Sequence, residues 1–157
     1  MKVKSVITFL LCLLIPLLIG GISGIATADA IPNWYQTLHR PSFNPPNWLF
    51  GPVWTLLYLL MGISFYMIWT LPKSQERKSA LQIFAAQITL NFFWSIIFFS
   101  WHQMNWALVE IIALWIFIAL MIHTFRKLRP VAGYLNIPYL LWVSFATVLN
   151  AAYVVLN

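Results

Sequence analysis

SVITFLLCLLIPLLIGGISGIATA, residues 5–28, decides the fold. The run contains no charged side chain, and a helix that crosses a bilayer needs about 20 apolar residues. Lys2 and Lys4 precede it and Ala26-Thr27-Ala28 ends it, a pattern that also suits a cleaved secretory signal. A signal core, however, spans only about 7–15 residues. The run is therefore read as a retained first membrane helix over 5–28. Gly20, Gly24 and Ala28 recur four apart on one face. Small residues at that spacing allow close helix approach in lipid, either within a bundle or between two copies.

Composition extends this reading to the whole chain. Of 157 residues, 62% are hydrophobic and 8% charged, with mean hydropathy +0.83. Soluble domains carry about 45–50% apolar and about 25% charged residues. So little charge excludes a surface that mostly faces water. Four further apolar runs predict helices over about 48–71, 79–101, 106–125 and 134–156. The expected fold is an all-α membrane protein, a five-transmembrane-helix bundle in a lipid bilayer, forming a single domain over 1–157. Pro72 should end the second helix, with a short charged link after it. His102-Gln103-Met104-Asn105 should form a tight turn, and Arg126-Lys127-Leu128-Arg129-Pro130 a basic link.

The basic residues set an orientation. Five spans put the N-terminus and the second and fourth connections on one side. That side holds Lys2, Lys4, Lys73, Arg77, Lys78, Arg126, Lys127 and Arg129, and the other holds only Arg40. Positive charge collects on the cytoplasmic side. The N-terminus is expected there, with the first loop and the C-terminus outward, as in a multi-pass bacterial cell-membrane protein. Basic clusters placed between spans also make nucleic acid an unsuitable partner.

The first loop, 29–47, reads DAIPNWYQTLHRPSFNPPN and holds four prolines, which oppose helix at and just before their positions. Its interleaved Trp34, Tyr35 and Phe43, with Trp48 beyond, predict an ordered lid near the membrane interface. Trp48, Trp69, Trp101 and Trp106 lie near helix ends, where an interfacial belt settles. Trp54 and Trp142 lie deeper. Trp54, Tyr58 and Met61 share one helix face, as do Gln87, Asn91 and Trp94, and Trp142, Ala146, Leu149 and Asn150. Aromatic walls with a few polar groups suit a small-molecule pocket. Asn91 suits either a ligand contact or an interhelical hydrogen bond. Glu110 is the one acid inside a predicted span, near the outer end of its helix. His39, His102 and His123 are scattered, so no metal set is expected, and the single Cys12 has no partner. Nucleophile–base pairs, paired carboxylates and phosphate loops are absent from the sequence.

These residues carry a resemblance. Trp34-Tyr35 through Arg40-Pro41, Pro45-Pro46, FGPVWTLLYLLMG at 50–62, QITLNFFWS at 87–95 and PYLLWVSFATVLN at 138–150 resemble the TspO/MBR family. This family comprises bacterial tryptophan-rich sensory proteins and the mitochondrial translocator protein (peripheral benzodiazepine receptor). The resemblance implies a five-helix bundle, commonly a homodimer, with a pocket near the first loop that binds porphyrins and other hydrophobic small molecules. Isoquinoline carboxamide and benzodiazepine drugs are also ligands of the family. Carried over by motif, the pocket residues are Trp34, Tyr35, Pro45, Trp54, Asn91, Phe93, Trp142, Ala146 and Leu149. The same resemblance makes Trp54 and Trp142 the pair engaged in porphyrin photochemistry. Animal members carry a cholesterol motif on the last helix. Here Leu149 and Tyr153 are present without a following Lys or Arg, so cholesterol is not the expected ligand.

The expected function is a tetrapyrrole-binding membrane receptor that promotes light-dependent oxidative degradation of protoporphyrin IX, with no further cofactor required. Whether this amounts to enzymatic turnover is open. A transporter or carrier of tetrapyrroles, and a stress sensor acting through a partner protein, are the alternatives.

Overall fold

A computed structural model describes residues 3–157, so Lys2, part of the charge count above, lies outside the described residues. The chain forms α1 (Val3–Thr27), a short α2 (Ala30–Asn33), a 3-10 turn (Tyr35–Thr37), α3 (Asn47–Trp69) and α4 (Gln75–Ser95). A π-helical stretch, Ile96–Ser100, continues α4, and α5 (Met104–Leu128), α6 (Pro130–Tyr134) and α7 (Ile137–Leu156) follow. Among the described residues, five helical segments are long and apolar enough to cross a membrane: Lys4–Thr27, Asn47–Trp69, Gln75–Ser100, Met104–Leu128 and Pro130–Leu156. The expected five-helix bundle is thus the observed architecture.

Several boundaries differ from expectation, each for a local reason. The third span begins at Gln75 rather than 79, because the Ser74 side chain accepts the Arg77 N–H at 3.1 Å and caps the helix. The expected charged link is therefore largely the first turn of α4. Arg77 also donates to the Trp69 and Ile68 carbonyls at 2.6 and 3.3 Å and lies over the Trp69 ring. It thereby satisfies the open C-terminal carbonyls of α3. The fourth span runs on to Leu128, through the basic residues assigned to a link.

The fifth span is broken. Proline at 138 lacks the N–H that would bond the Tyr134 carbonyl, and its ring crowds that position. Asn136 repairs the break: its amide donates to Ser64 Oγ at 2.7 Å and to the Ala132 carbonyl at 2.9 Å. Ser64 Oγ donates to the same carbonyl at 2.7 Å, tying α3 to α6.

α1 packs mainly on α3 through one stripe, with Cys12, Pro16, Ser23 and Thr27 buried. Gly20 lies on this stripe against the Tyr58 ring, where a Cβ would collide. Gly24 lies off it, and a Cβ there would meet nothing within 4 Å. Within the bundle, Gly20 is the glycine of the Gly20-Gly24-Ala28 stripe that makes close contact, and Gly24 stands open. A close approach of backbone to backbone lies lower down. Pro16 frees the Cys12 carbonyl from its helical hydrogen bond. A Cβ on Gly62 would sit 2.9 Å from that oxygen and 2.8 Å from Leu13 Cα. Both neighbours are backbone, so neither can swing aside.

All tryptophans assigned to the interface, Trp48, Trp69, Trp101 and Trp106, are exposed on the bundle surface. The basic connections gather at the end of the bundle opposite the first loop and the C-terminus. At the loop end, Asn157 accepts the His39 N–H at 2.8 Å, and Trp34 stacks on His102 at 4.2 Å.

Gly62→Ala should lower the stability of the bundle by about 1–3 kcal/mol, the usual cost of overpacking a close contact. Thermal unfolding in detergent checks this. A control Gly24→Ala, in open space, should leave the midpoint unchanged or slightly raised.

Candidate functional site

The sequence places aromatic rings on faces of α3, α4 and α7, and the bundle turns those faces toward one another. The result is a partly open cavity of about 440 Å³ in the loop-side half of the molecule. From α3 come Asn47, Phe50, Gly51, Trp54, Thr55 and Tyr58. From α4 and its π stretch come Trp94, Ser95, Phe98 and Phe99, and from α7 Trp142, Ala146, Leu149, Asn150 and Tyr153. α1 supplies Leu17, Gly20, Gly21, Ser23, Gly24 and Thr27, while Ile31 and Tyr35 descend from the loop. No Lys, Arg, His, Asp or Glu is among these residues.

The walls are stacked and edge-on rings. Trp54 stacks on Tyr58 at 5.4 Å between centroids and meets Tyr139 edge-on at 6.2 Å. Trp142 packs against Phe50 at 5.9 Å and Phe145 at 5.6 Å. Trp94 stacks on Phe98 at 5.6 Å, and its N–H donates to Asn150 Oδ1 at 3.2 Å. Among the described residues, no such bond holds the indole N–H of Trp54 or Trp142.

Beneath the cavity runs a buried polar chain. Tyr58 donates to Asn91 Oδ1 at 2.6 Å, and the Asn91 amide donates to the Tyr139 hydroxyl at 2.9 Å. That hydroxyl donates to Gln87 Oε1 at 3.1 Å, and Gln87 Nε2 lies 3.4 Å from Met61 Sδ. The chain joins α3, α4 and α7 and closes the cavity floor.

Above the cavity lies the lid. Asn44 Oδ1 accepts from the Tyr35 hydroxyl at 2.9 Å and from the Tyr153 hydroxyl at 3.0 Å, pinning the loop to α7. The Asn157 amide donates to the His39 carbonyl at 3.2 Å, closing a two-way clamp with the bond described above. Arg40 lies over the Tyr35 ring at 5.5 Å. His102 reaches Trp34 from a tight turn with φ 55°, an uncommon conformation for a residue other than glycine.

The structure brings together five of the residues named from sequence: Tyr35, Trp54, Trp142, Ala146 and Leu149 line the cavity. Four others do not. Trp34 packs behind the lid on Phe98 and His102. The Pro45 carbonyl accepts a hydrogen bond from the Asn44 side-chain amide at 3.0 Å, and Pro45 lies outside the lining. Asn91 is buried with its side chain engaged by Tyr58 and Tyr139, so the interhelical alternative describes its place. Phe93 points away from the cavity and is 44% exposed on the outer surface. The sequence reading missed the contribution of α1 and the π-helical Phe98 and Phe99. Gly20 and Gly24 were visible as small residues, but a wall of a cavity and a helix contact look alike in sequence. Glu110 lines no part of the cavity. Both its carboxylate oxygens are buried without a hydrogen-bond partner among the described residues.

Comparison with known proteins gives the lineage. The profile of the TspO/MBR family matches residues 12–156. The chain belongs to the TspO/MBR family. It is 39% identical over 155 residues to the tryptophan-rich protein TspO of Chlorobaculum tepidum, covering 98% of each chain. It is 38% identical over 117 residues to the tryptophan-rich sensory protein of Cereibacter sphaeroides, covering 74% of this chain and 72% of that one. Human translocator protein is 38% identical over 119 residues, covering 74% and 70%. With its five spans, the chain is a multi-pass membrane protein of this family.

Asn44→Ala removes the acceptor shared by two tyrosine hydroxyls. Amide exchange over 35–44 should rise by the factor set by about 1–2 kcal/mol of lost lid stability. Exchange in α3, α4 and α7 should stay as before. Equal acceleration everywhere would show that Asn44 holds the bundle rather than the lid.

Proposed function

We propose that this protein binds tetrapyrroles in the cavity and promotes the light-dependent oxidative breakdown of protoporphyrin IX. The observation that carries this reading is a cavity lined by aromatic rings and by no charged side chain, with the indoles of Trp54 and Trp142 in its wall. A flat macrocycle gains dispersion and apolar burial against such walls. No Lys, Arg, His, Asp, Glu or Cys is among the lining residues, and the hydroxyls of Tyr35, Tyr58 and Tyr153 are each engaged by an asparagine. Light absorbed by the porphyrin provides the energy instead, and dioxygen the oxidant. An excited porphyrin either sensitises dioxygen, which then adds to the macrocycle, or takes an electron from a ring in contact with it and passes that electron to dioxygen; the indole radical cation regains its electron from the porphyrin, and the oxidised porphyrin combines with the superoxide formed. An indole is the most readily oxidised side chain in this wall. The protein's share is then orientation, contact with a redox-active ring and exclusion of bulk water by the lid.

The family supports the same ligand class, and the neutral lining also suits isoquinoline carboxamide and benzodiazepine drugs. The distribution of basic residues supports a cytoplasmic N-terminus with the lid outward. The family pattern supports a homodimer. The polar chain from Tyr58 through Asn91 to Tyr139 closes the cavity toward the basic end, which favours a binding site over a through-path for a carried ligand.

Trp142→Phe keeps a ring in the wall but removes the electron-rich indole. Illuminated loss of protoporphyrin IX should slow by about tenfold or more, equivalent to about 1.4 kcal/mol of barrier. Absorbance decay under constant light, beside equilibrium binding in the dark, checks this. Unchanged decay with unchanged occupancy would remove Trp142 from the photochemical step.

A further inference from the structure

We propose that ligands reach the cavity sideways, from within the bilayer, through the seam between the loop-side halves of α1 and α3. The natural occupant is then a membrane-dissolved amphiphile. The route rests on the cavity being a ligand site. It goes further by naming where the ligand comes from.

The walls of the seam are rich in glycine. Gly21 and Gly24 on α1 and Gly51 on α3 all line the cavity, and all three are exposed. A Cβ at any of the three would meet no atom within 4 Å. Thr55 completes the α3 wall, with its hydroxyl turned back onto the Gly51 carbonyl at 2.9 Å. Below this level the same two helices are locked. Gly20 abuts the Tyr58 ring, and Gly62 abuts the backbone of Cys12 and Leu13. The helices therefore touch at the base of the cavity and leave a gap beside it.

The other direction of approach is shut. The lid is held by Tyr35 and Tyr153 on Asn44, by the two bonds between His39 and Asn157, and by Trp34 on His102. The seam itself is flanked by Leu18, Ile22, Ile25 and Leu56, all exposed and apolar, as a surface facing acyl chains would be. A water-borne ion finds no charged group along it. An amphiphile already aligned in the leaflet can slide its apolar body past the glycines. Its polar end then stays near Asn47 and Thr27, at the loop end of the seam.

The experiment measures association and dissociation rates in lipid nanodiscs by quenching of tryptophan fluorescence. Two probes are used, protoporphyrin IX and a neutral isoquinoline carboxamide. Leucine is placed on either wall as Gly21→Leu or Gly51→Leu, with Gly21→Ala and Gly21→Val as a graded series. A second arm clamps the lid with a short bis-maleimide between His39→Cys and Asn157→Cys in a Cys12→Ala background. Association should fall with side-chain volume, by about tenfold at leucine, and dissociation should fall with it because both directions pass the same gap. The clamped lid should leave both rates as in the unclamped protein. Full-speed exchange in the folded leucine variants, or loss of association on clamping the lid, would overturn the route. Absence of saturable porphyrin binding by the unaltered protein would instead remove the porphyrin reading, and the carboxamide rates then decide the route alone.

Discussion

The structure depends on one buried hydrogen-bond chain. In a bilayer core, no water is present to satisfy a hydroxyl or an amide, so each must find a partner within the protein. Tyr58, Asn91, Tyr139 and Gln87 solve this together, and their partners lie on three different helices. Lipid tails are as apolar as leucine, so apolar contact alone does little to choose one helix arrangement over another. The polar chain supplies the choice. It fixes the rotation of α3, α4 and α7 about their axes, and that rotation points Trp54 and Trp142 at the same space.

The cavity follows from where this chain stops. Above it, small residues replace large ones on α1, and Ala146 on α7 leaves further room. Below it, Gly62 lets α1 and α3 close up on each other's backbone. One helix pair thus has a tight half and a loose half, and the difference lies in what stands opposite its glycines. Where a glycine faces backbone or a ring, it makes a contact. Where it faces nothing, it makes an opening. The lid then covers the loose half through Asn44, which two tyrosines from different segments share as an acceptor.

Much of this was legible in the sequence because membrane constraints are simple. Span length and charge placement define five helices without any tertiary information, and Trp48, Trp69, Trp101 and Trp106 near the helix ends are exposed. Helix periodicity placed Trp54 with Tyr58, and Trp142 with Ala146 and Leu149, correctly on shared faces. Rotation between helices was not legible. Asn91 shares its face with Trp94, yet its amide is consumed by two tyrosines, and Phe93, inside a recognisable motif, points outward. Local exceptions also escaped. The π-helical turn at Ile96–Ser100, the bonds of Asn136 across the break before Pro138 and the cap at Ser74 are local features that no hydrophobic pattern encodes. Motif resemblance named residues around the cavity, but only packing separates those in the wall from those that hold the wall up.

The central claim is that the guest sits between Trp54 and Trp142 beneath the first loop. An experimental structure of the full chain in lipid with protoporphyrin IX bound tests it most directly. The account predicts macrocycle density between those two rings, in contact with Phe50 and Ala146, with the polar chain below undisturbed. Porphyrin density confined to the outer surface near Phe93, or to the basic end beside Arg77 and Arg129, would contradict it.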